Sequence, residues 1–99
     1  MAKLIERIGK ETKVDGKPID LSKLVNVGVE IIAASYRSYS SEQERVLLSK
    51  KKALKTSMEI AQRYGCSYVM LGNNPQLLGH SDAITSHYLF VATFYNEKA

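Results

Sequence analysis

Ninety-nine residues, 44% hydrophobic and 24% charged, make one domain around one core and exclude a disordered chain. The formal net charge of +4 falls short of the concentrated basicity of a dedicated nucleic-acid module, and the lone cysteine, Cys66, excludes an internal disulfide. No apolar run approaches the roughly 18–20 residues of a membrane span, and the opening MAKLIERIGKETK has too few consecutive apolar residues for a signal peptide. The expected location is the cytoplasm, or the periplasm for a chain cleaved from a leader.

Residues 1–22 read as an N-terminal arm. Leu4, Ile5 and Ile8 share one side of a helical turn, yet so brief a stretch does not hold a helix alone. Val14-Asp15-Gly16-Lys17 is a stronger signal, because Asp-Gly suits the positive φ angles of a tight hairpin turn. Pro18 confines the residues after it to a strand edge or a loop, so the arm is expected to carry a small hairpin. From Leu24 to Ser35, the residues Val25, Val27, Val29, Ile31 and Ala33 recur at every second position, the period of a strand. That row is wholly apolar. The opposite row (Leu24, Asn26, Gly28, Glu30, Ile32, Ala34) is mixed, as in a sheet covered by a helix on one face only.

A long amphipathic helix comes next. Ser41 and Glu44 have the spacing of a capping box, and Gly65 stands where a left-handed C-terminal cap is wanted. Stepping ~100° per residue, Val46, Leu47, Ala53, Leu54, Ser57, Met58, Ile60, Ala61 and Tyr64 form a broad stripe. Gln43 and Lys50 interrupt it, which predicts that the first turns overhang the sheet and Lys50 snorkels into water. Tyr68–Leu71 is a short strand stopped by Gly72-Asn73-Asn74-Pro75. A long loop is expected from Pro75 to about Ser86. The last strand, His87 to Tyr95, is apolar on both rows, the pattern of a central strand.

These elements predict an α+β fold: a small mixed or antiparallel sheet with one long amphipathic helix on one face, a βαββ core over 23–95 behind the arm. The strands flanking the helix are expected as parallel neighbours joined by a right-handed crossover, and the last two strands as an antiparallel pair. The sheet face away from the helix needs a cover. The arm is one candidate and a second subunit the other, which makes a homo-oligomer the expected state.

The run LSKKKALKTSMEIAQRYGCSYVMLG and the later SHYLFVATFYN resemble a pattern in several small bacterial families: the heavy-metal-binding YbjQ-like proteins, the YdgH/BhsA-like stress proteins and the lipoprotein sensor of the Rcs envelope-stress pathway. Ala61, Gly65, Cys66, Val69 to Leu71 and Ala92 to Tyr95 carry the resemblance, over about half of the chain. The chain departs from the sensor type in having one cysteine and no N-terminal lipidation cysteine. The resemblance implies a compact βαββ module that binds or assembles, and it assigns no functional residue.

Chemistry-bearing residues are sparse. Cys66, His80 and His87 are the only soft metal-ligand candidates, without the close pairing of zinc sites, so no metal and no cofactor are expected. Cys66 follows a helix C-terminus, whose negative dipole end does not activate a thiol. No nucleophile elbow and no phosphate-binding glycine loop occur, which points away from an enzyme. Two groups remain as candidate binding residues. Lys50, Lys51 and Lys52 with Arg37 and Tyr39 could form a basic ridge with flanking aromatics for nucleic acid, although lysines on a solvated helix face are the commoner outcome. Asn73, Asn74 and His80 belong to the polar 73–82 segment, which qualifies as a recognition loop. The leading expectation is a non-enzymatic binding or assembly module acting through protein–protein contacts, as a regulator or inhibitor. The alternative is a nucleic-acid binder, and no membrane partner is expected.

Overall fold

The structure, a computed structural model, describes residues 2–98. Its N-terminal strands are short because little apolar sequence supports them: β1 (Lys3–Leu4), β2 (Glu6–Ile8), β3 (Glu11–Val14) and β4 (Lys17–Pro18). Asp15 and Gly16 take φ of 52° and 77°, the backbone of a two-residue hairpin turn, and Val14 pairs with Lys17 across it. The expected hairpin is present, extended to a three-stranded antiparallel meander β2-β3-β4. Pro18 lies on its edge strand, where a missing N–H costs nothing. The helical turn traced by Leu4, Ile5 and Ile8 does not form. Instead Ile5 is almost wholly buried and its N–H donates to the Val69 carbonyl at 2.8 Å.

The main sheet holds β5 (Leu24–Arg37), β6 (Tyr68–Leu71), β7 (Gln76–Asp82) and β8 (Thr85–Glu97), with β1 at one edge. Strand β8 is central, as its two apolar rows predict. It pairs antiparallel with β5 along one side, and with β6 and β7 along the other. The strands flanking the helix therefore run in the same direction but are not neighbours, because β8 lies between them. The 75–86 stretch is not an open loop. Most of it is strand β7, which forms a hairpin with β8, with two register shifts beside Leu78 and Ser81. Nothing in Gln-Leu-Leu-Gly-His-Ser-Asp alternates or favours a strand; the open edge of β8 makes it one.

Helix α1 (Glu42–Tyr64) has the expected limits. Ser41 Oγ accepts from the Glu44 N–H at 3.3 Å. Gly65 takes φ of 64°, and the Cys66 N–H closes on the Ala61 carbonyl at 3.2 Å. The row laid on the sheet is narrower than the predicted stripe: Ser49, Ala53, Ser57 and Ala61 are all 0% exposed, with Arg45 ahead of them. These small side chains, four residues apart, let the helix axis approach the sheet closely. The sheet supplies the volume in return, through Tyr88, Phe90 and Phe94, each aromatic burying roughly 150–250 Å². Leu54, Met58 and Ile60 pack on the flanks. Starting the row at Arg45 also removes the expected overhang: the first turn is anchored to β8 through Ser86, and Lys50 lies to one side.

Candidate interaction surface

Cross-strand partners share a face, so the register divides the sheet without ambiguity. Gly28, Glu30, Ile32 and Ala34 pair with Phe94, Ala92, Phe90 and Tyr88, and this is the row beneath the helix. The mixed row of β5 is thus the covered one. The apolar row faces outward: Val29, Ile31 and Ala33 pair with Thr93, Val91 and Leu89, and Met70 of β6 continues the row beside Thr93. Ile31 is 66% exposed, Val29 54% and Val91 49%. Ile31 and Val91 sit at the midpoint of the β5–β8 ladder, which runs from Leu24–Glu97 to Arg37–Thr85.

Among the described residues, the middle of this face has no charged side chain. Charges gather at its ends, with Arg37 and Asp82 at one and Lys3 and Glu97 at the other. The N-terminal arm does not cover it. Strand β1 extends the far edge of the sheet beside β6, and the chain then leaves for the meander. Of the two expected covers, the arm is excluded. On the same face Ser35 Oγ and His87 Nδ1 share a hydrogen bond, and the Tyr68 hydroxyl donates to Glu97 at 3.0 Å, which raises the Tyr68 pKa.

The residues singled out from the sequence are dispersed. Lys50 Nζ donates to Asn73 Oδ1 at 3.1 Å, and Asn73 Nδ2 donates to the Arg7 carbonyl at 2.9 Å, so this pair ties the helix to the N-terminal arm. Lys52 reaches the opposite flank, donating to the Ser35 carbonyl at 2.9 Å with its ammonium 4.8 Å from the Tyr36 ring centre. Lys51 is exposed on the helix between them. Arg37 ends β5, and Tyr39, 90% exposed, lies in the connection to the helix. Asn74 stands in the turn after β6. Only Lys50 and Asn73 meet.

His80 belongs to a cluster that the sequence did not reveal. Glu42, in the first turn of α1, accepts from Tyr88 Oη at 2.6 Å, Arg45 Nη2 at 2.7 Å and Ser86 Oγ at 2.9 Å. His80 Nε2 lies 3.3 Å from both of its oxygens. The hydrogen bond from Tyr88, then that from Arg45, holds the carboxyl at about 2 instead of the ordinary 4.5. Arg45, itself buried, also donates to the carbonyls of Ser38 and Ser40 at 3.0 and 2.7 Å. The cluster thus fastens the helix start, the β5–α1 connection and the β7–β8 hairpin together. Burial raises the Tyr88 pKa, and the Glu42 bond adds to the rise. An acidic residue in the first helical turn was the one available signal, and it reads equally well as ordinary capping.

Cys66 is buried, and burial pushes its thiol up. Cys66, His80 and His87 do not converge, and among the described residues no group of three or more His, Cys, Asp or Glu is placed to hold a metal ion. No described helix is long and apolar enough to cross a membrane. Comparison with protein families, curated proteins and solved structures finds no match to the chain.

Proposed function

We propose that this chain is a non-enzymatic assembly module whose outer sheet face is a protein–protein contact closed by a second copy of itself. The observation that carries the reading is the uncovered apolar row centred on Ile31 and Val91. Three strands spaced ~4.8 Å apart, rising ~3.4 Å per residue over the length of β8, span an outer face of roughly 600–700 Å², with the apolar row at its centre and polar and charged residues at its rim. That approaches the ~800 Å² per partner of a stable interface.

A self-complementary partner suits this surface. An uncharged apolar centre meets its own copy without burying an unpaired charge, and two sheets stack face to face at ~10 Å with aligned strands. With strands antiparallel across a two-fold axis that runs between the sheets over the Ile31–Val91 pair, the end carrying Arg37 and Asp82 in one copy lies over the end carrying Lys3 and Glu97 in the other, so each rim charge has an opposite charge within its reach. Regulation or inhibition of another protein would then act through the assembled form.

Sedimentation of the wild-type chain beside Val91→Lys tests the proposal. The wild type is expected to sediment as more than one chain, and the lysine variant at a lower mass with an unchanged far-ultraviolet spectrum. A monomeric wild type, or a variant of unchanged mass, would sink the reading.

A further inference from the structure

Strand β5 is the last of its sheet, and its outer edge has no partner among the described residues. Which of its peptide groups face that edge is set by β8. Val91 gives its carbonyl to the Gly72 N–H (2.9 Å), and Tyr95 gives its carbonyl to the Ser67 N–H (3.1 Å). These residues therefore turn their peptide groups away from β5. Bonded and non-bonded pairs alternate along an antiparallel ladder, so Val29–Thr93, Ile31–Val91 and Ala33–Leu89 are the non-bonded pairs. The N–H and C=O groups of Val29, Ile31 and Ala33 point outward.

This edge is interrupted at both ends from within the chain, at one by a lysine side chain and at the other by a bulge. The Ser35 carbonyl accepts from Lys52 Nζ at 2.9 Å. At the other end the ladder shifts register between Asn26 and Gly28, and the Asn26 side chain accepts from the Gly28 N–H at 2.9 Å. Folded proteins blunt edge strands with such lysines and irregularities. Between them the stretch Val-Glu-Ile-Ile-Ala is left open, without the lysine or proline that would guard it.

We infer that this open window of β5 is a strand-addition site for the same window of a second copy, antiparallel and centred on Ile31. A second copy brings a window of the same length, and its register is fixed. Because the plugs restrict the ladder at both ends, two such windows pair fully only when centred on each other. That register sets Val29 opposite Ala33 of the second copy and exchanges about six backbone hydrogen bonds. It also sets Glu30, the one charge in the window, opposite Ile32 and not opposite its own counterpart. Glu30 already accepts from the Tyr64 hydroxyl. The edge contact uses peptide groups, whereas the face contact uses side chains, so the two are independent and compatible.

Hydrogen exchange resolved to single amides tests this on the full chain. At concentrations where the chain self-associates, the Val29, Ile31 and Ala33 amides are expected to exchange at least ~100-fold more slowly than in dilute, monomeric protein. The Val91→Lys variant is expected to keep that protection, which separates the edge from the face. Added to the Val91→Lys variant, in which the face contact is already lost, Ile31→Pro removes a donor that the ladder within one chain does not use, and is expected to lower the assembled mass further. Should that variant fail to fold, the exchange measurement decides alone. Fast exchange at all three amides at high concentration would overturn the inference, and would leave the face contact standing if the chain were still oligomeric. Slow exchange in the dilute monomer would overturn it as well, since the edge would then be covered from within.

Discussion

Ser49 offers the sharpest test of how the helix sits on the sheet. Its side chain is fully buried in the α1–sheet contact, and its Oγ has no hydrogen-bond partner among the described residues. A buried hydroxyl without a partner costs about 1–3 kcal/mol, and serine is a poorer helix former than alanine by about 0.5 kcal/mol. Ser49→Ala keeps the Cβ that touches the sheet and leaves a gap smaller than a methyl group. The expected result is a gain of about 1 kcal/mol, which raises the melting temperature of a domain of this size by about 4–8 °C. Ser57 is the control, further along the same buried row. Its Oγ donates to the Leu54 carbonyl at 2.7 Å, so Ser57→Ala exchanges a satisfied bond for helix propensity and is expected to be close to neutral. Urea unfolding followed by circular dichroism, at one protein concentration and with equal slopes, measures both. If Ser49→Ala is the less stable protein, or if the two substitutions behave alike, the hydroxyl is satisfied and the reasoning fails.

Two further outcomes rest on the same packing. Ala53→Leu inserts a branched side chain where the helix has no clearance, and is expected to cost about 1–3 kcal/mol or more in the same urea assay; an unchanged midpoint would mean that the helix stands further off. The Glu42 cluster predicts acid sensitivity. Because its carboxyl is held at about 2 against an ordinary 4.5, its contribution is complete above 4.5 and fades as pH falls toward 2. The stability gap between wild type and Glu42→Gln should therefore narrow over that interval, and a gap independent of pH would show that the Tyr88, Arg45 and Ser86 bonds do not favour the ionised form.

The legible parts of the chain were those set by short-range chemistry. Ser41 and Gly65 bound the helix as read, because a hydroxyl cap and a left-handed terminus act within one turn. Asp15-Gly16 made its hairpin for the same reason. Strand β8 was recognisable as central from two apolar rows. Strand β7 was not, since Gln76–Asp82 lacks alternation and extends only because β8 offers it an edge. Residue type alone singles out the binding candidates, and the structure places them on different flanks. Lys50 and Lys52 are separated only by Lys51, yet project to opposite sides of the helix.

The order of residues alone set where the helix begins and ends, placed β5 and β8 to within about two residues at each end, and showed that one helix would lie on one sheet face. It did not decide which face. The apolar row of β5 looked ready for burial, yet the helix lies on the mixed row, because that row continues into Phe90, Phe94 and Tyr88 across the ladder and accepts the small side chains of Ser49, Ala53 and Ser57. Packing in three dimensions settled this choice, along with the open edge at Ile31 and the Glu42 cluster. Caps and turns are satisfied within a few residues, whereas faces and edges depend on partners many positions away.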